Sequence, residues 1–147
     1  MRIKSIIFTI IVGILTSTSI YAQDFSGYWD GTATWGAKQF TMSLEVTQDG
    51  QKLTGIATTS NLNNDNYIKY HIFGEIVEGI GFARGVKLIE KKGFSHCMPG
   101  LALTISKTDP NQLMGKWKAN TGSNSCRIPG SGGIALTRKS PSIDSNK

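Results

Sequence analysis

The chain has 147 residues, with 16 Lys and Arg residues against 10 Asp and Glu residues. This length has room for one domain with its own core and is too short for two. The formal net charge of +6 at pH 7 is a small excess, and it falls when the basic N-terminal segment is removed. Nucleic acid is therefore not an expected partner, because its binding surfaces are strongly basic.

Residues 1–22 have the pattern of a secretory signal peptide. Arg2 and Lys4 precede an apolar stretch from Ile6 to Leu15, and a more polar stretch leads to Ala22. We expect cleavage after Ala22 and a periplasmic or secreted protein with no stable membrane anchor after that cleavage. No cysteine follows the apolar stretch, so a lipoprotein anchor is not predicted. An uncleaved N-terminal membrane anchor is the alternative.

The rest of the chain alternates between apolar and polar residues, which is typical of strands that are half buried. From Phe40 to Thr47, for example, apolar side chains occupy the even positions and polar side chains the odd ones. Glycine or proline interrupts most stretches that are long enough for a helix. We predict eight strands, near residues 27–35, 38–48, 51–59, 67–77, 80–91, 100–107, 112–119 and 133–139.

Most connections between these strands are short enough to join antiparallel neighbours. Asp49-Gly50 is a two-residue hairpin signal, and Glu78-Gly79 and Thr108 to Asn111 are typical of turns. Closing such a sheet removes its exposed edges. We therefore predict an all-β fold, a single eight-stranded antiparallel up-and-down barrel in residues 23–139, followed by a disordered tail at 140–147. A two-sheet sandwich is the alternative.

The two longer connections contain Cys97 and Cys126. In an oxidising compartment, two cysteines in a small exported chain favour a disulfide, which would stabilise the fold by roughly 3 to 4 kcal/mol. There are two alternatives. One is a metal site that the cysteines form with His96 and His71, and the other is a pair of free thiols. Zinc ligands usually come in closely spaced pairs, which this sequence lacks. We expect the disulfide, no metal and no cofactor.

The predicted inner face of the barrel is rich in aromatic side chains, which either fill a core or line an apolar pocket. Arg84 shares the predicted inward positions of Ile80, Phe82 and Val86. A buried guanidinium needs a carboxylate, a backbone carbonyl or an acidic group of a ligand as partner. A bulge at Gly85 that turns Arg84 outward is the alternative. Inward glycines at 55, 74 and 115 are expected to leave room for a ligand. The predicted ligand-binding residues are Arg84, Trp29, Trp35, Phe40, Tyr70, Phe82 and Trp117.

The leading hypothesis is therefore an exported, non-catalytic barrel that binds a small hydrophobic or amphiphilic ligand, with Arg84 orienting an acidic group. No nucleophile motif is present, and the two histidines, His71 and His96, fall in different predicted segments. The alternative is a protein-binding module of inhibitor or immunity type, acting through the loops around Cys97 and Cys126.

Near the start of the first predicted strand, Gly27-Tyr28-Trp29 resembles the G-x-W signature of the calycins, the lipocalin-like and avidin-like secreted barrels. The resemblance implies that Trp29 closes one end of the barrel and packs against an arginine at the end of the last strand. Arg138 is the matching residue, and a guanidinium stacked on an indole contributes roughly 0.5 to 2 kcal/mol.

A wider set of motifs resembles small exported barrel proteins of Gram-negative bacteria. This second resemblance implies the same fold and the same compartment, and it carries no implication about activity. The motifs are Trp29-Asp30-Gly31, Lys69 to Gly74, Cys97 before Leu101 to Thr104, Leu113 to Trp117, Cys126, and Gly133 to Arg138.

Overall fold

The computed structural model describes residues 23–93, 98–119 and 130–139. These residues form eight strands: β1 (Gly27–Trp35), β2 (Lys38–Asp49), β3 (Lys52–Asn61), β4 (Tyr67–Val77), β5 (Ile80–Lys92), β6 (Gly100–Ile105), β7 (Gln112–Lys118) and β8 (Ser131–Lys139). Each strand pairs with the next, and β8 returns to pair antiparallel with β1, which closes the barrel. The predicted all-β, eight-stranded antiparallel up-and-down barrel is confirmed.

Several predictions fall outside the described residues. They are the signal peptide at 1–22, the tail at 140–147, and both Cys97 and Cys126, so the disulfide stays a prediction. Within the three described ranges, no helix has the length and apolar character needed to cross a membrane.

The turn between β4 and β5 follows directly from its two residues. Glu78 and Gly79 have φ angles of 50° and 77°, both in the left-handed region. A two-residue hairpin of type I′ has positive φ at both central positions, and its backbone matches the twist of the flanking strands. The predicted Glu78-Gly79 turn is thereby confirmed.

The core lies inside the barrel and is built from one face of every strand. Apolar side chains from all eight strands, together with Phe25 from the segment that precedes β1, form one buried cluster. The large side chains with the least exposure are Trp29, Tyr70, Phe25, Leu44, Leu53, Leu103, Leu113 and Leu136. Burial of a side chain of this kind contributes roughly 1.5 to 3 kcal/mol.

The inward glycines do not leave room for a ligand, and that expectation is wrong. A Cβ added at Gly55 would collide with the carbonyl oxygen of Glu45 on β2, and one at Gly74 with that of Phe82 on β5. At Gly115 the colliding group is the carbonyl oxygen of Ala102 on β6. These glycines let neighbouring strands approach closely, and backbone occupies the space that a side chain would need.

Strand β5 faces the opposite way from the prediction. Gly81 and Ala83 are buried inside, whereas Phe82 and Arg84 are exposed on the outer face. The reason lies in the neighbouring strands, because Leu53 and Phe25 lie within 3.4 Å of where a Gly81 Cβ would be. Only small residues of β5 fit against them, and the larger residues of the strand therefore point outward.

Candidate functional site

The seven predicted ligand-binding residues lie in three different parts of the barrel. Trp29 and Tyr70 are fully buried in the core. Trp35, Phe40 and Trp117 occupy inward positions and are partly buried. Phe82 and Arg84 lie on the outer face. The interior of the barrel thus does not bring the seven residues into one pocket.

Trp29 belongs to the closed end of the barrel. Its indole Nε1 donates a hydrogen bond to the Phe25 carbonyl oxygen at 2.9 Å, and the Arg138 guanidinium lies 4.2 Å from its ring centroid. The guanidinium also donates to the carbonyl oxygens of Ser26 and Asp24. The predicted contact between Trp29 and Arg138 is confirmed, and it fastens the segment before β1 across this end.

Tyr70 is the only fully buried tyrosine in the described core. Its hydroxyl has no hydrogen-bond partner of normal geometry within the part of the chain that the structure describes. Burial raises the pKa of Tyr70 well above its ordinary value, and the neighbouring Thr59 hydroxyl opposes that rise only in part. The phenol is therefore held neutral, and its ring lies 3.0 Å from where a Cβ of Gly85 would be.

Trp35 and Trp117 meet at the other end of the barrel. The indole Nε1 of Trp117 donates a hydrogen bond to the Thr34 carbonyl oxygen at 2.8 Å. Both indoles lie beside Gly130, where a Cβ would be 2.9 Å from Nε1 of Trp35 and 3.2 Å from Trp117. These two residues hold β1, β7 and the chain entering β8 together.

A groove of about 710 Å³ crosses the outer face of the barrel from β4 to β7. Its floor is low because the part of β6 that it crosses directs the small residues Gly100 and Ala102 outward, while Leu101 and Leu103 fill the interior. The strand register then places Phe82, Ala102 and Lys116 in one row across β5, β6 and β7.

A second row runs parallel to the first. Phe73 on β4 lies opposite Arg84 on β5, which lies opposite Gly100 on β6 and then Lys118 on β7. The two phenylalanines are 47% and 45% exposed, which is unusual for side chains of that size. One side of the groove is therefore aromatic and the other side carries two lysines.

The charges around the groove are mostly positive. Its lining includes the cations Lys52, Arg84, Lys116 and Lys118 and a single carboxylate, Glu75. Across the described ranges, the one salt bridge joins Lys92 to Asp65, away from this lining. The groove thus combines exposed aromatic surface with cations that are not neutralised by an ion pair in the described chain.

Three of the predicted residues, Phe82, Arg84 and Trp117, line this groove. Phe82 and Arg84 lie on the outer wall, whereas Trp117 is an inward, partly buried residue of β7. Sequence reasoning missed Phe73, Lys116 and Lys118. A signal for Phe73 was present, because it shares the polar, outward positions of His71 and Lys69, where an aromatic residue is out of place.

No metal-binding cluster is found in the described ranges. No group of three or more His, Cys, Asp or Glu side chains there has an arrangement that holds a metal ion. His71 is exposed on β4, outside the groove lining. The groove lining offers contacts to apolar surface and to negative charge.

Comparison with protein-family models finds no match for this chain. Comparisons with curated proteins and with solved structures likewise give no significant match. Function must therefore be argued from the groove itself.

Proposed function

We propose that this protein is an exported, non-catalytic barrel that binds a small amphiphilic anion in the outer groove. The observation that carries the proposal is the pairing of exposed aromatic rings with unneutralised cations across a shallow floor. The apolar part of the ligand would lie on Phe73 and Phe82. Its acidic group would meet Arg84, Lys116 and Lys118.

The size of the groove fits such a ligand. Sites for small molecules have volumes of about 300 to 1,000 Å³ and combine apolar lining with a few polar groups that fix orientation, and this groove has about 710 Å³. Apolar area that leaves water contributes roughly 25 cal/mol per Å². The aromatic side of the groove therefore supplies affinity, and its cations supply orientation.

In this proposal Arg84 orients the acidic group of the ligand, as expected from the sequence, but it does so on the outer face. A guanidinium presents donors in a planar fork that matches a carboxylate or a phosphate through two parallel hydrogen bonds. Its partner across β4 and β5 is Phe73, so the charged and aromatic contacts lie side by side. A ligand with a polar head next to an apolar chain matches that arrangement.

A protein partner is the second candidate, and one observation favours it. The groove is lined by Phe, Trp and Arg, the residue types that dominate the energetic centres of protein interfaces. In that case an acidic segment with an apolar side chain would occupy the groove. The loops around Cys97 and Cys126, expected to contact a partner, lie outside the described residues.

Titration calorimetry with dodecyl phosphate, laurate and neutral dodecanol tests the first proposal. We expect the two anions to bind and dodecanol to bind about tenfold more weakly or worse, since it cannot pair with Arg84. The variants Arg84→Met and Phe82→Ser should each weaken anion binding about tenfold.

The matched controls are Lys107→Met and Leu62→Ser, which remove a charge and an exposed apolar side chain outside the groove lining. Both should bind like the wild type. Equal binding of dodecanol and dodecyl phosphate, or equal losses in the controls, would contradict the proposal. If no amphiphile binds at all, the protein-binding alternative is the one to pursue.

A further inference from the structure

The cations that line the groove are concentrated on one side of it. Lys52 lies opposite Glu75 across the pairing of β3 with β4, so these two charges offset each other. The other three cations of the lining, which we call the cation cluster, are Arg84 on β5 and Lys116 and Lys118 on β7. Within the described chain none of the three takes part in a salt bridge. Three positive charges are therefore left without a balancing carboxylate.

The side chains of the cation cluster share one face of the sheet. The register places Arg84 opposite Gly100 on β6, and Gly100 opposite Lys118. Residues that lie directly opposite each other point to the same face, and so do residues two positions apart on one strand, such as Lys116 and Lys118. All three cations are exposed, whereas Trp117 between the two lysines points inward. The cluster is thus one outward surface.

Gly100 leaves an open floor between the members of this cluster. A Cβ built at Gly100 would have only the carbonyl oxygen of Lys118 within 4 Å, at 3.8 Å. Neighbouring strands are about 4.8 Å apart, so the backbones of Arg84 and Lys118 are separated by roughly 10 Å. Lys116 lies roughly 7 Å from Lys118 along β7. All three long side chains can therefore reach one small anion above Gly100.

The donors of the cation cluster match a phosphate monoester better than a carboxylate. A guanidinium can pair with two oxygens of one head group through parallel hydrogen bonds, which leaves the lysine ammonium groups for a third oxygen. A phosphate monoester has three terminal oxygens and a charge of about −1.5 to −2 at neutral pH. Because Coulomb attraction scales with charge, three cations favour that head group over a single negative charge.

We propose that the head group bound in the groove is the dianion of a phosphate monoester, held above Gly100 by Arg84, Lys116 and Lys118. This inference rests on the proposed function, because it names the chemical class of the amphiphilic anion. The apolar chain of the ligand lies on Phe82, which shares the outer face of β5 with Arg84 two positions away. Head groups with one negative charge bind the same place more weakly.

Titration calorimetry with octyl phosphate and octyl sulfate tests the charge of the head group. The two ligands have the same chain and three terminal oxygens each, and the short chain keeps both of them monomeric. Near neutral pH the phosphate approaches two negative charges, whereas the sulfate carries one. We expect octyl phosphate to bind about tenfold more tightly at about pH 7.5. Equal affinities would overturn the inference.

The pH dependence of binding is an independent test. The second pKa of a phosphate monoester is about 6. The affinity for octyl phosphate should therefore fall as the pH is lowered from about 7.5 to about 5, and it should approach the affinity for octyl sulfate. Octyl sulfate keeps its charge over this range and reports any titration of the protein. An affinity for octyl phosphate that stays constant would contradict a bound dianion.

Titration of the protein works in the opposite direction. The groove lining holds Lys52 from β3, Glu75 from β4 and the cation cluster from β5 and β7, while β6 places no charged side chain in it. His71 is exposed on β4 outside the lining. Protonation of Glu75 or His71 at low pH would add positive charge and strengthen anion binding. A weakening at low pH therefore reports the ligand.

Variants locate the head group. Lys116→Met and Lys118→Met should each weaken octyl phosphate binding about tenfold and octyl sulfate binding about threefold or less. Phe82→Ser, which removes the apolar contact, should weaken both ligands equally. Lys107→Met lies outside the groove lining and should bind both ligands like the wild type. Melting temperatures within a few degrees of the wild type would show that the variants are folded. Equal effects of Lys118→Met on the two ligands would contradict the assignment.

The outcomes separate this inference from the proposed function. If both anions bind equally and Phe82→Ser weakens both, the dianion assignment is wrong and the groove still binds amphiphilic anions. If neither anion binds, both proposals are wrong. Inorganic phosphate, which lacks the chain, should bind about tenfold more weakly than octyl phosphate. Equal binding of these two would identify free phosphate as the ligand and would contradict an amphiphile.

Discussion

The guanidinium of Arg138 stacks on the indole of Trp29, with its Cζ atom 4.2 Å from the ring centroid. These residues are 109 positions apart in the sequence and adjacent across the β1–β8 pairing that closes the barrel. The same guanidinium donates hydrogen bonds to the segment before β1, including one to the Asp24 carbonyl oxygen at 2.7 Å. One side chain therefore ties together the first strand, the last strand and the N-terminal segment.

Replacing Arg138 by Met should destabilise the protein by about 2 to 3 kcal/mol, because both the stacking and the charged hydrogen bonds are lost. Denaturant unfolding followed by tryptophan fluorescence measures the change. Arg84→Met is the matched control, since Arg84 is exposed and should change stability by no more than about 0.5 kcal/mol. Similar losses in both variants would contradict a special role for Arg138.

Gly74→Ala should destabilise the barrel by about 2 kcal/mol or more, because the new Cβ would collide with the backbone of Phe82 and force β4 away from β5. Gly133→Ala is the control on an open position, where the nearest atom, Oγ1 of Thr34, would be 3.5 Å away. Thermal unfolding should show a clear loss in the first variant and little change in the second. Equal melting temperatures would mean that the strands relax without cost.

Gly100→Ile should block the groove without harming the fold. A Cβ at Gly100 would have only the Lys118 carbonyl oxygen near it, at 3.8 Å, and a β-branched residue suits a strand. We expect the affinity for dodecyl phosphate to fall about tenfold while stability stays within about 0.5 kcal/mol of the wild type. Unchanged affinity would place the ligand elsewhere on the protein.

Tyr70→Phe should leave stability unchanged or raise it by up to about 1 kcal/mol, since the buried hydroxyl that it removes has no partner of normal geometry in the described chain. Tyr70→Ala, which empties the same volume, should cost about 3 to 5 kcal/mol. Urea unfolding at neutral pH separates the two outcomes. A loss of more than about 1 kcal/mol in the Phe variant would reveal a hydrogen bond to the hydroxyl.

The same residue predicts the alkaline behaviour of the protein. Burial raises the pKa of Tyr70 in the folded state, so the unfolded state releases this proton first. The stability that Tyr70 contributes is therefore present below its ordinary pKa of 10.0 and is lost as the pH rises above that value. Unfolding between pH 9 and 11, with Tyr70→Phe as the control, should show a smaller alkaline loss in the variant.

The inward faces of most strands were predictable, and that of β5 was not. In β2, Met42, Leu44 and Val46 alternate with polar residues, so only one face suits the core. In β5, one face offers Phe82 and Arg84, and the other offers glycine and alanine. The choice depended on how much space Phe25 and Leu53 leave inside, which is a property of the assembled barrel.

Only some of the residues that line the groove were predictable from the sequence. Phe82, Arg84 and Trp117 were predicted from the sequence to bind a ligand, but in an interior site. Lys116 was not identified, because it meets Phe82 only through the registers of β5 with β6 and of β6 with β7. Phe82 and Lys116 are far apart in the chain and come together through strand pairing, and no local sequence pattern encodes that pairing.

The sequence by itself determined the number and order of the strands, their short turns and the antiparallel closure. It did so because alternation with a period of two and turn residues such as Glu78-Gly79 act locally. The tertiary structure alone decided that the inward glycines accommodate backbone rather than a ligand, and that Arg84 faces outward. The glycines are limited by the backbone of the neighbouring strand, and the inward residues of β5 are limited by the side chains of Leu53 and Phe25. Both limits arise only when eight strands pack around one interior.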